Sequence, residues 1–172
     1  MYTSKCNRVL VVDYDPSWPA KFEELRRGVW PAVRDVALSI EHVGSTAVAG
    51  LAAKPIIDMD VGELGYVHRG NLGIEDREAF ASPLPSPAHH LYVCPQSSAA
   101  LANHLALRDF LRRNPEAVAE YGRVKRQLAA RFATDMASYI AGKTDCILAM
   151  LRKMGFSEST LQSIKNANIS SD

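Results

Sequence analysis

The spacing of apolar residues divides the chain into two unlike halves. Up to Cys94 the apolar residues come in short runs bounded by Gly, Pro, Asp or Ser; beyond Pro95 they recur at helical intervals. Val9–Tyr14 reads as a strand, ended by the Asp15-Pro-Ser-Trp-Pro19 turn. Ser17 is placed to cap a helix starting near Trp18, in which Phe22, Leu25, Val29 and Val33 form one apolar stripe. Leu38–Val43, Ile56–Val61, Tyr66–Arg69 and His90–Cys94 read as further strands, with a helical turn over Ala47–Ala53. Residues 71–88, rich in Pro, Gly and charge, suggest a surface loop. Ala99–Arg113, Glu116–Phe132 and Thr134–Met154 read as helices, the middle one striped by Val118, Tyr121, Val124, Leu128 and Phe132. The pattern therefore predicts one α+β domain over residues 1–156, with a sheet core at about 9–94 and a helical part at about 99–156. Residues 157–172 form a polar tail expected to fray. Strands first and helices afterwards suit a small mixed sheet with helices packed on one side.

Composition narrows the function. Apolar residues make up 47% of the 172, enough for a sizeable core. Lys and Arg (20) nearly balance Asp and Glu (19), which argues against a general nucleic-acid coat or a polybasic membrane anchor. Any anion site must therefore be local. Cys6, Cys94 and Cys146 are odd in number and irregularly spaced, as expected of reduced thiols. No export signal and no apolar run long enough to span a bilayer is visible, so a cytoplasmic location is expected.

Two segments carry candidate chemistry. In a strand, Asp58 and Asp60 share one face while Ile57, Met59 and Val61 share the other. Two carboxylates about 7 Å apart along the backbone can converge on Mg²⁺ or Mn²⁺, which prefer hard oxygen ligands. The bland reading is a solvated strand face, but Asp is depleted in strands. Upstream, Gly44-Ser45-Thr46 follows one strand and precedes a turn whose backbone N–H groups could meet phosphate, with Lys54 adding positive charge. Taken alone it is an ordinary turn, and it lacks the Gly-Lys-Ser/Thr of a Walker loop. His89 and His90 point to opposite faces of their strand, so one of them can face a site. His42 suits either a phosphate contact or a hydrogen-bonded structural role. Arg108 and Arg112 share a helix face and could grip an anion, or form ordinary ion pairs; Lys125 and Lys143 pose the same choice. Tyr121, Phe132 and Tyr139 read as core packing.

Together, His42-Val-Gly-Ser-Thr-Ala-Val-Ala-Gly-Leu-Ala-Ala-Lys-Pro-Ile-Ile-Asp-Met-Asp60 closely resembles the signature of the GrpB family. The resemblance extends to Tyr14-Asp-Pro-Ser-Trp18, Phe22, His90–Val93, Leu107–Arg112, Tyr121, Lys125 and Tyr139–Lys143, and so covers roughly Val9–Phe156. GrpB-like proteins are in turn similar to the nucleotidyltransferase superfamily. That resemblance implies a nucleotidyltransferase-type sheet, with Gly44 and Ser45 holding the phosphates of a nucleoside triphosphate and Asp58 and Asp60 holding metal. The implied reaction is transfer of a nucleotidyl group to an unknown acceptor. Two departures stand out. Superfamily enzymes usually carry a third carboxylate on a later strand, and here His90 is the nearest candidate, with Glu75 and Asp76 behind it. The Val61–Tyr66 junction is also short where similar proteins carry a helix, which would bare a sheet face that a second copy could cover in a homodimer. The alternatives are a weakly active or inactive module that binds nucleotide or a partner protein, and metal-dependent phosphoester hydrolysis. GrpB-like segments also resemble the extra domain of some dephospho-coenzyme A kinases.

Overall fold

The structure is a computed structural model that describes residues 8–35, 37–60, 67–72, 77–81 and 88–169. Helix α1 (Trp18–Val33) is followed by strand β1 (His42–Val43), a single 3-10 turn (Ser45–Ala47) and strand β2 (Ile57–Asp60). Strands β3 (Val67–His68), β4 (Glu78–Ala81) and β5 (His89–Val93) complete a mixed sheet of order β1-β2-β5-β4-β3. Helices α2 (Ala99–Arg113), α3 (Pro115–Arg131), α4 (Met136–Lys153) and α5 (Glu158–Ile169) follow. The mixed α+β class expected from the sequence is borne out.

Strand alternation decides how this sheet is covered. β2 and β5 pair in parallel, with Ile57 opposite His89, Asp58 opposite His90 and Met59 opposite Leu91. Ile57 and Leu91 therefore share a face, and there they pack with Ile40, Ala53 and the α1 stripe of Trp18, Phe22, Leu25, Val29 and Val33. Asp58 and His90 share the other face. It looks across a cleft at α2, α3 and α4, whose own core is built from Val48, Leu51, Leu111, Tyr121, Ile147, Leu148 and Leu151. Helices thus flank both faces of the sheet, not one as the element order suggests. The α1 stripe covers the apolar face, and the helical half closes over the polar one.

Local differences from the sequence reading have local causes. The Val9–Tyr14 run makes only an isolated bridge, Val12 to Ala53. Ser17 does not cap α1 through its side chain; the Asp15 carboxylate instead accepts hydrogen bonds from Ser17 N, Ser17 Oγ and Lys21 Nζ. Part of the expected 71–88 loop is β4, which owes its strand form to pairing with β5. The expected helical turn over Ala47–Ala53 shrinks to the 3-10 turn at Ser45–Ala47. Downstream of Ser157, α5 is an ordered helix that buries Leu161 and packs Ile164 against the helical core. Among the described residues, no helix is long and apolar enough to cross a membrane.

Candidate functional site

Between the polar face of the sheet and the helical half lies a cleft of about 380 Å³. On the sheet side Gly44, Ser45, Thr46, Lys54, Asp58 and His90 line it, and α2, α3 and α4 contribute Arg108, Lys125 and Lys143. Asp58 is the one acid among the described lining residues.

The parallel register brings Asp58 and His90 together. His90 Nδ1 donates to Asp58 Oδ1 at 2.9 Å, a bond that spans 32 residues of chain. Burial is the largest single influence and works to raise the Asp58 carboxyl, but the His90 hydrogen bond and the charges of His90, His104 and Lys54 together outweigh it. The net effect holds the group below the usual carboxylate range. Asp58 is therefore ionised at neutral pH, with one oxygen engaged by His90.

Gly44 explains itself through the same carboxylate. Its φ of +70° lies in the left-handed region, and a Cβ there would collide with Asp58 Oδ2. The close approach that glycine permits is thus to Asp58 in the first place. No helix N-terminus backs this turn, because the 3-10 segment is three residues long. Thr46 is buried, and its hydroxyl donates to the Ile56 carbonyl at 3.3 Å, which leaves His42 Nε2 as the donor to Thr46 Oγ1 at 3.1 Å. His42 also stacks on Phe22, its ring 4.6 Å away and 7° from parallel. Burial, then the nearby charge of Arg112, pushes its pKa down to about 4 and keeps it neutral. His42 and Thr46 hold the turn in place.

The arginines fall on the structural side of the choice left open by the sequence. Arg108 Nη1 donates to Glu41 Oε2 at 2.8 Å and Arg108 Nε to Asp109 Oδ1 at 2.7 Å, so this cleft residue already has its anions. Arg112 does not line the cleft; its Nε donates to the Ala47 carbonyl at 3.0 Å and ties α2 to the 3-10 turn. His89 is buried on the α1 side of β5. The side chain of Asp60, together with Glu75, Asp76 and the whole Val61–Tyr66 junction, lies outside the described residues. Among the described residues no group of three potential metal ligands converges.

Sequence reasoning raised Lys125 but missed three other polar residues of the cleft. Arg77 Nε, Asn103 Oδ1, His104 Nδ1 and Lys125 Nζ are buried without a hydrogen-bond partner among the described residues, and all four residues line this cleft. Buried polar groups are normally satisfied. Their concentration in one cavity makes it the candidate site. Nothing in the sequence marks Arg77 or His104, which reach the cleft through β4 pairing and the packing of α2.

The family model described as GrpB protein matches residues 8–63 and 62–153. The chain belongs to the GrpB family. The two matched stretches overlap at residues 62–63, in the short junction after β2. A GrpB-family relative from Bacillus subtilis, the UPF0157 protein YqkA, is 32% identical over 155 residues; the match covers 81% of this chain and 45% of that protein. The chain therefore spans less than half the length of this relative. The crystal structure of the conserved protein GrpB from Enterococcus faecalis superposes with a TM-score of 0.73 at 30% identity, covering 86% of this chain and 100% of that one. A dephospho-CoA kinase of Mycolicibacterium paratuberculosis is 26% identical over 175 residues, covering 78% of this chain and 43% of the kinase. The GrpB resemblance seen in the His42–Asp60 segment thus extends over residues 8–153 of this chain.

Proposed function

We propose that the cleft binds a nucleoside triphosphate together with Mg²⁺ or Mn²⁺ and transfers its nucleotidyl group to an acceptor hydroxyl. One observation carries this reading. An ionised carboxylate, Asp58, sits against the Gly44 turn in a cleft whose other charged side chains are basic. Lys54, Arg77 and Lys143 give a near-neutral chain a locally positive cavity, suited to a polyphosphate.

The donor chemistry fits a hard divalent ion. Asp58 is ionised, and its Oδ2 is not the oxygen that His90 holds. Asp60 follows two positions along the same strand. Mg²⁺ is commonly held by one or two carboxylates with substrate phosphates supplying further oxygens. The basic lining opposes a bare cation, so metal and triphosphate are expected to bind together. Bound there, the metal would offset negative charge on the reacting phosphate and the departing pyrophosphate.

The protein's own groups account for the remaining steps. Asp58 fixes the proton of His90 on Nδ1, which leaves Nε2 able to accept one. His90 Nε2 takes the proton of the acceptor hydroxyl as its oxygen bonds to the α-phosphorus. The bond from that phosphorus to the bridging oxygen then breaks, and pyrophosphate leaves. Lys54 and Ser45 flank the phosphate path on the sheet side.

A thermal-shift screen of nucleoside triphosphates, with and without Mg²⁺, tests the binding, and pyrophosphate release tests the transfer. A ligand should raise the melting temperature in step with its saturation, and Asp58→Ala should remove both signals. If no triphosphate binds or releases pyrophosphate with either metal, the reading fails.

The second reading, a binding module without catalysis, is favoured by the lack of a three-ligand group among the described residues. Similarity to part of a dephospho-CoA kinase gives it a plausible setting beside another catalytic domain. It predicts a melting-temperature rise with nucleotide and no pyrophosphate.

A further inference from the structure

Helices α3 and α4 present the same short pattern to the cleft, Tyr121-x-x-x-Lys125 and Tyr139-x-x-x-Lys143. Residues four apart share a helix face. Each lysine accordingly sits over its own tyrosine ring, with Nζ 4.6 Å from the Tyr121 centroid and 5.5 Å from that of Tyr139. The ring faces supply a weak attraction to positive charge but no full counter-charge.

Lys125 is only 2% exposed, and its Nζ has no hydrogen-bond partner among the described residues. Burial drives its pKa down to about 6, with Lys143 and Arg126 adding repulsion against the opposing pull of Cys146 and Asp58. Burial likewise lowers Lys143 to about 8, Lys54 adding to the effect and Asp58 opposing it. Asp58, the acid of the same cleft, is already hydrogen-bonded to His90. Lys125 and the half-buried Lys143 line one cavity open to a ligand, and among the described residues neither forms an ion pair. A phosphate group supplies both the charge and the acceptor oxygens, and lysine suits it as a compact point charge.

We propose that Lys125 and Lys143, each seated on its own tyrosine, form an anion clamp on the helical wall of the cleft that takes the terminal phosphates of a polyphosphate ligand. The clamp rests on the preceding reading for the class of ligand, but it does not require turnover. It orients the ligand with its outer phosphates toward α3 and α4 and its reacting end toward Asp58 and His90.

Inorganic pyrophosphate is the probe, titrated calorimetrically in the presence of EDTA against the full chain and its Lys125→Met, Lys143→Met and Lys21→Met variants. Lys21 serves as the control because it lies on α1, paired with Asp15. The wild type and Lys21→Met should bind pyrophosphate alike, and the two clamp variants should each bind about ten- to a hundredfold more weakly. Ligand-free Lys125→Met should melt no lower than the wild type, because methionine fills the space without burying an unpaired amine. Absence of pyrophosphate binding by the wild type, unchanged affinity in both clamp variants, or a lower melting temperature for Lys125→Met would each overturn the clamp. Weakened pyrophosphate binding in the variants, with no triphosphate turned over by the wild type, would keep the clamp and remove the transfer reaction. Turnover by the wild type with unchanged pyrophosphate affinity in the variants would do the opposite.

Discussion

The two faces of the central sheet are made from neighbouring residues and do opposite work. On one, Ile57 and Leu91 disappear under Trp18, Phe22 and the rest of the α1 stripe, a region of hydrocarbon against hydrocarbon. On the other, Asp58 and His90 face a cavity whose far wall holds Lys125 and His104 with buried nitrogens unmatched by any described partner. One face is satisfied by the fold itself; the other leaves buried polar groups without a partner among the described residues. Stability and ligand binding should therefore respond separately to mutations one residue apart.

The sharpest way to break this contrast is to exchange the two kinds of damage. Asp58→Ala should abolish metal-dependent nucleotide binding while leaving the far-UV circular dichroism spectrum native. Ile57→Ala, at the adjacent position, should cost about 2–5 kcal/mol in denaturant unfolding and leave the affinity of the remaining folded protein nearly unchanged. Equal loss of binding in both variants would mean that the faces are not independent. Gly44→Ala should combine the effects, with strain of about 1–3 kcal/mol from the positive φ and displacement of the Asp58 carboxylate, read as weaker nucleotide binding.

Titration sharpens the contrast next. Lys125 has a folded pKa of about 6, far below the ordinary lysine value of 10.5. Between those values the unfolded chain holds more protons, so this group makes stability rise with pH across that window, with its full penalty present below about 6. Lys125→Met should flatten the rise in urea unfolding followed from pH 6 to 9. His42 acts in a lower window. Its pKa falls from 6.5 to about 4 through burial and the charge of Arg112, with Arg108 acting the same way and Asp58 and Glu23 opposing. Its contribution is complete above pH 6.5 and is lost as pH falls through 4, so His42→Phe should reduce acid sensitivity in that range. The smallest effect expected is that of Glu41→Gln. It weakens a partly exposed ion pair with Arg108 and should cost about 1 kcal/mol or less, with no change in pyrophosphate affinity.

The same division governs what could be read from the sequence. The α1 stripe and the helices after Pro95 were legible because their apolar spacing reflects what they bury. β4 was not, since Glu78-Ala-Phe-Ala81 contains no β-branched residue and becomes a strand by pairing with β5. α5 was obscured because its packing rests on few apolar anchors, chiefly Leu161 and Ile164, in a polar segment. Asp58, Gly44 and His90 could be singled out as residues of one constellation, although their contact depends on long-range register. Tyr121 and Tyr139 read as core packing, because a tyrosine in an apolar stripe looks the same whether its outer edge meets another side chain or a cavity. Arg108 and Arg112 show the converse, since an anion-gripping pattern on a helix proves to hold Glu41, Asp109 and a backbone carbonyl.

The direct backbone pairing of β2 with β5 has a consequence for the chain between them. Because Asp58 meets His90 through strand register, that meeting depends on the pairing and not on the path taken from one strand to the other. The two stretches matched by the family model overlap on that path, at residues 62–63. A change of length at that point, outside both strands, would leave the pairing that joins Asp58 to His90 in place.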